Sequence, residues 1–207
     1  MKIIDLTHRL ENGMTVYSEE ENINIRKAAI FEKDKFRTTN FNIFTHNGTH
    51  IDAPYHLLKD GKKLENYELE RFLLKVSVVY IPDKEYIECD DLKIFDELIS
   101  KNKGLIIKTD HYKKWNTEGY NTGYPTLTKD AANYLKDKGI ELLGVDTLSP
   151  DLYNSIEIHK ILLGNDILIL ENLNLEGVEV EEGMLSTLPL KYKDADGSFV
   201  RAVMTVE

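Results

Sequence analysis

Apolar and polar residues alternate from Ile23 to Phe31 and from Phe41 to Thr45, the period of half-buried strands. The run Leu73 to Ile81 is almost continuously apolar or β-branched, and Pro82-Asp83 stops it. A helical period follows. Leu92, Phe95, Leu98 and Ile99 share one face of a helix that Asp90 or Asp91 can cap. Leu105 to Lys108 predicts a short buried strand. Thr128 is placed to cap a helix over Lys129 to Lys138, which Gly139 ends by admitting a left-handed backbone. Next come a strand over Leu142 to Val145, a helix over Ser155 to Leu163 ended by Gly164, and a strand over Ile167 to Leu170. Two final strands, Leu185 to Tyr192 and Phe199 to Val206, flank the turn Lys193 to Gly197. Strands dominate the ends and β/α alternation the middle, which predicts an α/β fold on a mixed, barrel-like sheet. No repeat, low-complexity segment or Pro/Gly/Ser-rich linker divides the chain, so residues 1–207 are expected to form a single domain.

Composition narrows the function classes. The net charge of −10 repels phosphate backbones, and no basic cluster offsets it, so no nucleic-acid partner is expected. No stretch reaches the ~20 apolar residues needed to span a bilayer, and Met1 to Leu6 carries no signal-like apolar run. The expectation is a cytoplasmic protein without a membrane partner. Cys89 is the single cysteine, so no intramolecular disulfide forms; it reads as a small residue between a strand and a helix.

The chemistry concentrates in one loop. Of the six histidines, His46, His50 and His56 fall within eleven residues, together with Asp52. Imidazoles and a carboxylate are the donors that Zn²⁺ and Mn²⁺ favour. Gly48 permits a tight turn from whose two sides His46 and His50 can converge. His50 and Asp52 share a face if the chain is extended there. A helical zincin motif needs glutamate directly after its first histidine, where this chain has Asn47. The bland alternative is a polar turn with three solvent-exposed histidines. A weaker donor pair is His159, in a helical stretch, with Glu171 at the mouth of a buried strand. Gly119-Tyr120-Asn121-Thr122-Gly123 lacks the serine of a nucleophile elbow, and no nucleotide fingerprint occurs. Tyr112, Trp115, Tyr120 and Tyr124 could line a pocket or cap a core. His8 and His111 read as surface or supporting residues, and Asp110 and Asp146 as strand-end groups that could support a site.

The segment His46-Asn47-Gly48-Thr49-His50-Ile51-Asp52-Ala53-Pro54-Tyr55-His56 resembles the HxGTHxDxPxH signature of the cyclase family of metal-dependent hydrolases, whose members include kynurenine formamidase (arylformamidase) and isatin hydrolase. The resemblance continues through Gly144 to Ser149, His159 to Leu163, Glu171-Asn172-Leu173, Leu188 to Lys191 and Asp196 to Ala202. It implies a swivelling β/β/α fold and two divalent metal ions per chain, Zn or Mn. His46, His50 and Asp52 would hold one ion; Asp52 as a bridge, His159 and Glu171 the other. It makes His56 an acid–base residue and Tyr17 a substrate contact, although the Pro-Gly-Asp run common near that tyrosine is absent from Met14 to Glu20. It further implies a homodimer or homotetramer. The implied reaction is hydrolysis of an amide bond in a small aryl formamide such as N-formylkynurenine by metal-activated water. A cyclic amide or lactone is the alternative substrate, and a metal- or ligand-binding module without turnover the non-enzymatic one.

Overall fold

The computed structural model describes residues 1–206. In chain order its strands are β1 (Lys2–Asp5), β2 (Asn24–Ala29), β3 (Thr38–Asn42), β4 (His50–Asp52), β5 (Leu73–Tyr80), β6 (Tyr86–Ile87), β7 (Gly104–Lys108), β8 (Thr126–Leu127), β9 (Leu142–Val145), β10 (Leu168–Glu171), β11 (Glu182–Ser186), β12 (Gly197–Phe199) and β13 (Val203–Val206). The helices are α1 (Phe31–Asp34), α2 (Cys89–Lys93), α3 (Asp96–Ile99), α4 (Lys129–Asp137) and α5 (Glu157–Gly164).

Nine strands form one mixed sheet in the order β1-β13-β11-β5-β7-β9-β10-β4-β12. Neighbours from β5 to β10 are parallel and the rest antiparallel. Parallel strands are buried on both faces, which explains why β5, β7 and β9 read as near-continuous apolar runs. Side chains alternate between two cores. Val76, Val78, Ile106, Leu142, Leu168 and Leu170 enter one, inside the curl of the sheet. Leu105, Ile107, Leu143 and Ile169 enter the other, where Leu92, Ile99, Leu135 and Leu162 from the helices cover them. The curl is tight enough that Val200–Ala202 suffice to carry the chain from β12 at one edge to β13 beside the other. Val200 N–H donates to Thr49 O at 3.0 Å, and Leu6 N–H to Ala202 O at 2.9 Å, across that gap. This is the α/β, half-barrel-like sheet flanked by helices that the sequence predicts. No helix among the described residues is long and apolar enough to cross a membrane.

Local expectations hold best in the middle. Thr128 caps α4 by accepting Ala131 N–H at 3.2 Å, and Gly139 follows with φ +68°. The helix over Asp90 to Ile99 is broken, because Phe95 leaves the helical basin (φ −104°, ψ 20°). Asp96 restarts it, where its carboxylate meets Tyr134 and Lys138 from the α4 region. α5 ends at Gly164, as expected, with that glycine its last helical residue; Asp166 beyond it takes a positive φ (+59°). The strand expected over Ile23 to Phe31 ends at Ala29, and the one expected over Phe41 to Thr45 lies earlier, at Thr38–Asn42. The last two expected strands do pair antiparallel, as β11 and β13, but the chain between them does not turn back directly at Lys193 to Gly197. β11 is paired on both sides, by β5 and β13, so residues 187–196 leave the sheet and return as β12 against β4.

Candidate metal centre

The sheet places the site. β4 is extended, so His50 and Asp52 project from one face while Ile51 enters the inner core. Glu171, at the end of β10, is the cross-strand partner of His50. α5 packs over that same face and supplies His159. Gly48 adopts φ +64°, the left-handed backbone that favours glycine, in the turn that swings His46 back over β4. Gly197 is required by proximity: a Cβ would stand 2.5 Å from the His46 ring.

These side chains converge. His50 Nε2 lies 3.4 Å from Asp52 Oδ1 and 3.3 Å from Glu171 Oε2. His159 Nε2 lies 3.4 Å from Asp52 Oδ2 and 3.2 Å from Glu171 Oε1. His46 Nδ1 is 2.7 Å from Asp52 Oδ1. Asp52 therefore touches all three imidazoles. Ligand atoms of His50, Asp52 and Glu171 lie within 4.8 Å of one another, and so do those of His46, Asp52 and His56. The structure thus gathers the five expected ligands and sets His56 beside them, its ring 4.0 Å from that of His46.

Electrostatics follow from burying like charges with opposite ones. Burial opposes charge on His46, yet the carboxylates of Asp52 and Asp196 outweigh it and push its pKa up to about 10. His50 and His159 are raised likewise, against burial, by Asp52 and Glu171 for the first and Asp151, Asp52 and Glu171 for the second. Asp52 and Glu171 are held low, again against burial, by the imidazoles around them. His56 differs: although the residue reaches the surface, the protein packed around its ring and the neighbouring His46 and His159 lower its pKa despite Asp52, which leaves a neutral imidazole near pH 7. A cation fits the donor set, because a divalent ion would replace the protons that the carboxylates draw onto these imidazoles, leaving neutral imidazoles and carboxylates as ligands. Glu171 Oε1 is also buried without a hydrogen-bond partner, an acceptor aimed into the cluster.

The cluster floors a cavity of about 240 Å³ walled by Tyr17, Leu148 and Ile156, with Glu21, Ser149, Ser155 and Asn172 around it. Tyr17 stacks on Tyr153 (4.8 Å between ring centres) and its hydroxyl accepts Asn154 N–H at 2.9 Å, so its ring serves as wall. Tyr120 and Tyr124 form a small core with Leu148 behind that wall. Tyr120 O–H donates to Asn172 Oδ1 at 2.9 Å, and Asn172 Nδ2 donates to Gly48 O at 3.2 Å.

His8 and His111 are not surface residues. Both are buried. His8 stacks on Trp115 at 4.1 Å, and His111 Nε2 donates to Tyr120 O at 2.8 Å. Asp146 is buried, pushed up to about 6 by that burial, and accepts Thr109 N–H and O–H, tying the ends of β7 and β9 together. Asp110 pairs with Tyr80 and Lys113 on the surface. Two further carboxylates reach these imidazoles from outside the His46 to His56 cluster. Asp196 Oδ2 is 2.8 Å from His46 Nε2, and Asp151 Oδ2 is 2.8 Å from His159 Nδ1. Asp196 stood inside the turn that was expected to join two strands; the only pointer to its role is its place in the Asp196 to Ala202 segment.

The Cyclase family model matches residues 4–152. A kynurenine formamidase of Bacillus cereus is 32% identical over 206 residues, covering 97% of this chain and 96% of that protein. A kynurenine formamidase of Bacillus mycoides is 36% identical over 161 residues, covering 77% of this chain and 75% of its own length. A solved structure described as a potential metal-dependent hydrolase with cyclase activity superimposes with TM-score 0.84 at 26% identity, covering 98% of this chain and 96% of that one. An isatin hydrolase bound to the product analogue thioisatinate superimposes with TM-score 0.88 at 21% identity, covering 99% and 92%, and so shares the fold.

Proposed function

The chain belongs to the cyclase family, and from that premise we propose that it is a metal-dependent hydrolase that opens a small cyclic amide or lactone. The observation that carries this reading is the convergence of three imidazoles on Asp52 and Glu171 at the floor of a small, partly apolar cavity. His46, His50, Asp52, His159 and Glu171 would hold two divalent ions, zinc or manganese, with Asp52 reaching both. A divalent ion bound there would supply a water whose pKa falls from ~15.7 toward ~7 and a Lewis acid for a carbonyl oxygen.

The residues divide the remaining work. Asp52 and Glu171 supply the buried negative charge that draws cations in. Gly48 O, 2.8 Å from His50 Nδ1, and Asp151, 2.8 Å from His159 Nδ1, leave each Nε2 facing the carboxylates. His56, exposed at the rim, keeps a neutral imidazole able to take a proton from the attacking water and then hand it to the departing nitrogen or oxygen. The Tyr17 ring, Leu148 and Ile156 exclude water from a flat apolar substrate.

Charge at the wall favours the cyclic substrate. The lining includes no lysine or arginine, so an amino-acid carboxylate such as that of N-formylkynurenine finds no cationic partner in this chain. The formamide reading has its own support, in the full-length likeness to kynurenine formamidases. Parallel assays of the zinc-loaded protein on a lactam of isatin type, an aryl lactone and N-formylkynurenine separate the two. Faster turnover of the lactam or lactone supports the proposal. Selective release of formate from N-formylkynurenine overturns the substrate assignment, and no turnover of any of them favours a binding module.

We also propose a homodimer or homotetramer as the working form. The β2–β3 hairpin and the segment after it expose Phe31, Phe36, Phe41 and Phe44, an apolar surface suited to a second copy. Sedimentation tests this: a monomer at micromolar concentration would refute it.

A further inference from the structure

Asp151 lies in the loop between β9 and α5 and is 1% exposed. Its Oδ1 accepts Ser155 O–H at 3.0 Å and Ile158 N–H at 2.8 Å. Its Oδ2 accepts His159 N–H at 2.8 Å and lies 2.8 Å from His159 Nδ1. Each oxygen thus serves two donors. Ile158 and His159 belong to the first turn of α5, whose N–H groups have no acceptor inside the helix. Capping explains those two contacts. It does not explain why the second oxygen also meets the imidazole.

An ionised carboxylate only accepts hydrogen bonds. His159 Nδ1 must therefore carry a proton, and Nε2 keeps its lone pair in the neutral ring. That nitrogen is the one aimed at Asp52 and Glu171, 3.4 Å and 3.2 Å away. We propose that Asp151 is the positioning residue of the metal centre: it fixes the Nδ1-protonated tautomer of His159 and, by holding the same residue's backbone N–H, the place of its ring over Asp52 and Glu171. The inference rests on the reading of His159 as a metal ligand. The three histidines are held in different ways. His50 has a backbone carbonyl behind it, and His46 has the part-exposed Asp196. His159 has a buried, fully engaged carboxylate, the acceptor that most raises a ligand's basicity.

The test uses zinc-loaded protein, imidazole ¹⁵N–¹H NMR, and zinc affinity by chelator competition. In the wild type, a hydrogen-bonded Nδ1–H resonance, assigned through its loss in His159→Gln, is expected. Asp151→Asn preserves shape but offers one oxygen for four donors. It is expected to lose that resonance and to bind zinc about ten- to a hundredfold more weakly, with circular dichroism unchanged. An Nε2-protonated His159 in the wild type overturns the proposal outright, and this measurement decides even if Asp151→Asn fails to fold. A variant that melts lower yet keeps the resonance and the affinity also overturns it, reducing Asp151 to a helix cap. Unchanged zinc affinity in His159→Gln instead defeats the ligand reading; the tautomer is measured independently of that result.

Discussion

The metal centre has a closed side and an open side, built under different constraints. On the closed side His50, Asp52, His159 and Glu171 are between 1% and 7% exposed, and each makes ionic contact with at least one other of the four. On the open side His46 is half-buried and His56 exposed, and the His56 ring makes no hydrogen bond among the described residues. Buried charge survives only when paired, so the closed side is over-determined by strand register and helix packing. The open side is left free to meet a substrate. In the proposed division of labour, the sheet and α5 hold the buried charge balance, His46 completes the ligand set from the loop, and His56 is left free for proton transfer.

Breaking the closed side should cost most. Asp52→Asn removes the one carboxylate that touches all three imidazoles. It should empty at least one metal site and lower turnover by roughly a thousandfold, the several kcal/mol a metal contributes to catalysis. Metal analysis beside kcat checks this, and full occupancy in the variant would refute a shared carboxylate. His56→Ala probes the open side. Turnover should fall by about a hundredfold or more, with the metal content of the wild type. Loss of metal would make His56 a ligand and erase the distinction between the sides.

Gly197→Ala tests the boundary. A Cβ 2.5 Å from the His46 ring must push that ring off its position. Activity should fall about tenfold and stability by about 1–3 kcal/mol, read from kcat and from chemical denaturation. Unchanged activity would show that the placement of His46 is not critical. Tyr17→Phe should matter least. The hydroxyl is occupied by Asn154 N–H and the ring remains stacked on Tyr153, so KM should rise only a few-fold while kcat holds, consistent with the loss of about 1 kcal/mol. A large fall in kcat would place the phenol in the chemistry.

The same contrast explains what the sequence made legible. β5, β7, β9 and β10 are read almost to the residue, because burial on both faces leaves continuous apolar runs. The His46 to His56 cluster is visible because its donors are neighbours in the chain. His159 and Glu171 are unremarkable alone and gain meaning from the resemblance. Asp151 and Asp196 are invisible locally: eight and 150 residues separate them from the histidines they hold, and no periodicity encodes such pairs. Residues 185–206 mislead for the same reason. Their alternation is real, but distant strands β4, β5 and β1 decide which piece pairs where.

The most direct test of the central claim is turnover of an isatin-type lactam and of N-formylkynurenine by protein stripped of metal, before and after zinc or manganese is restored. Hydrolysis of at least one of them that is absent from the stripped protein and returns with the ion is the predicted result. Hydrolysis that persists in protein shown by elemental analysis to be metal-free would contradict the account.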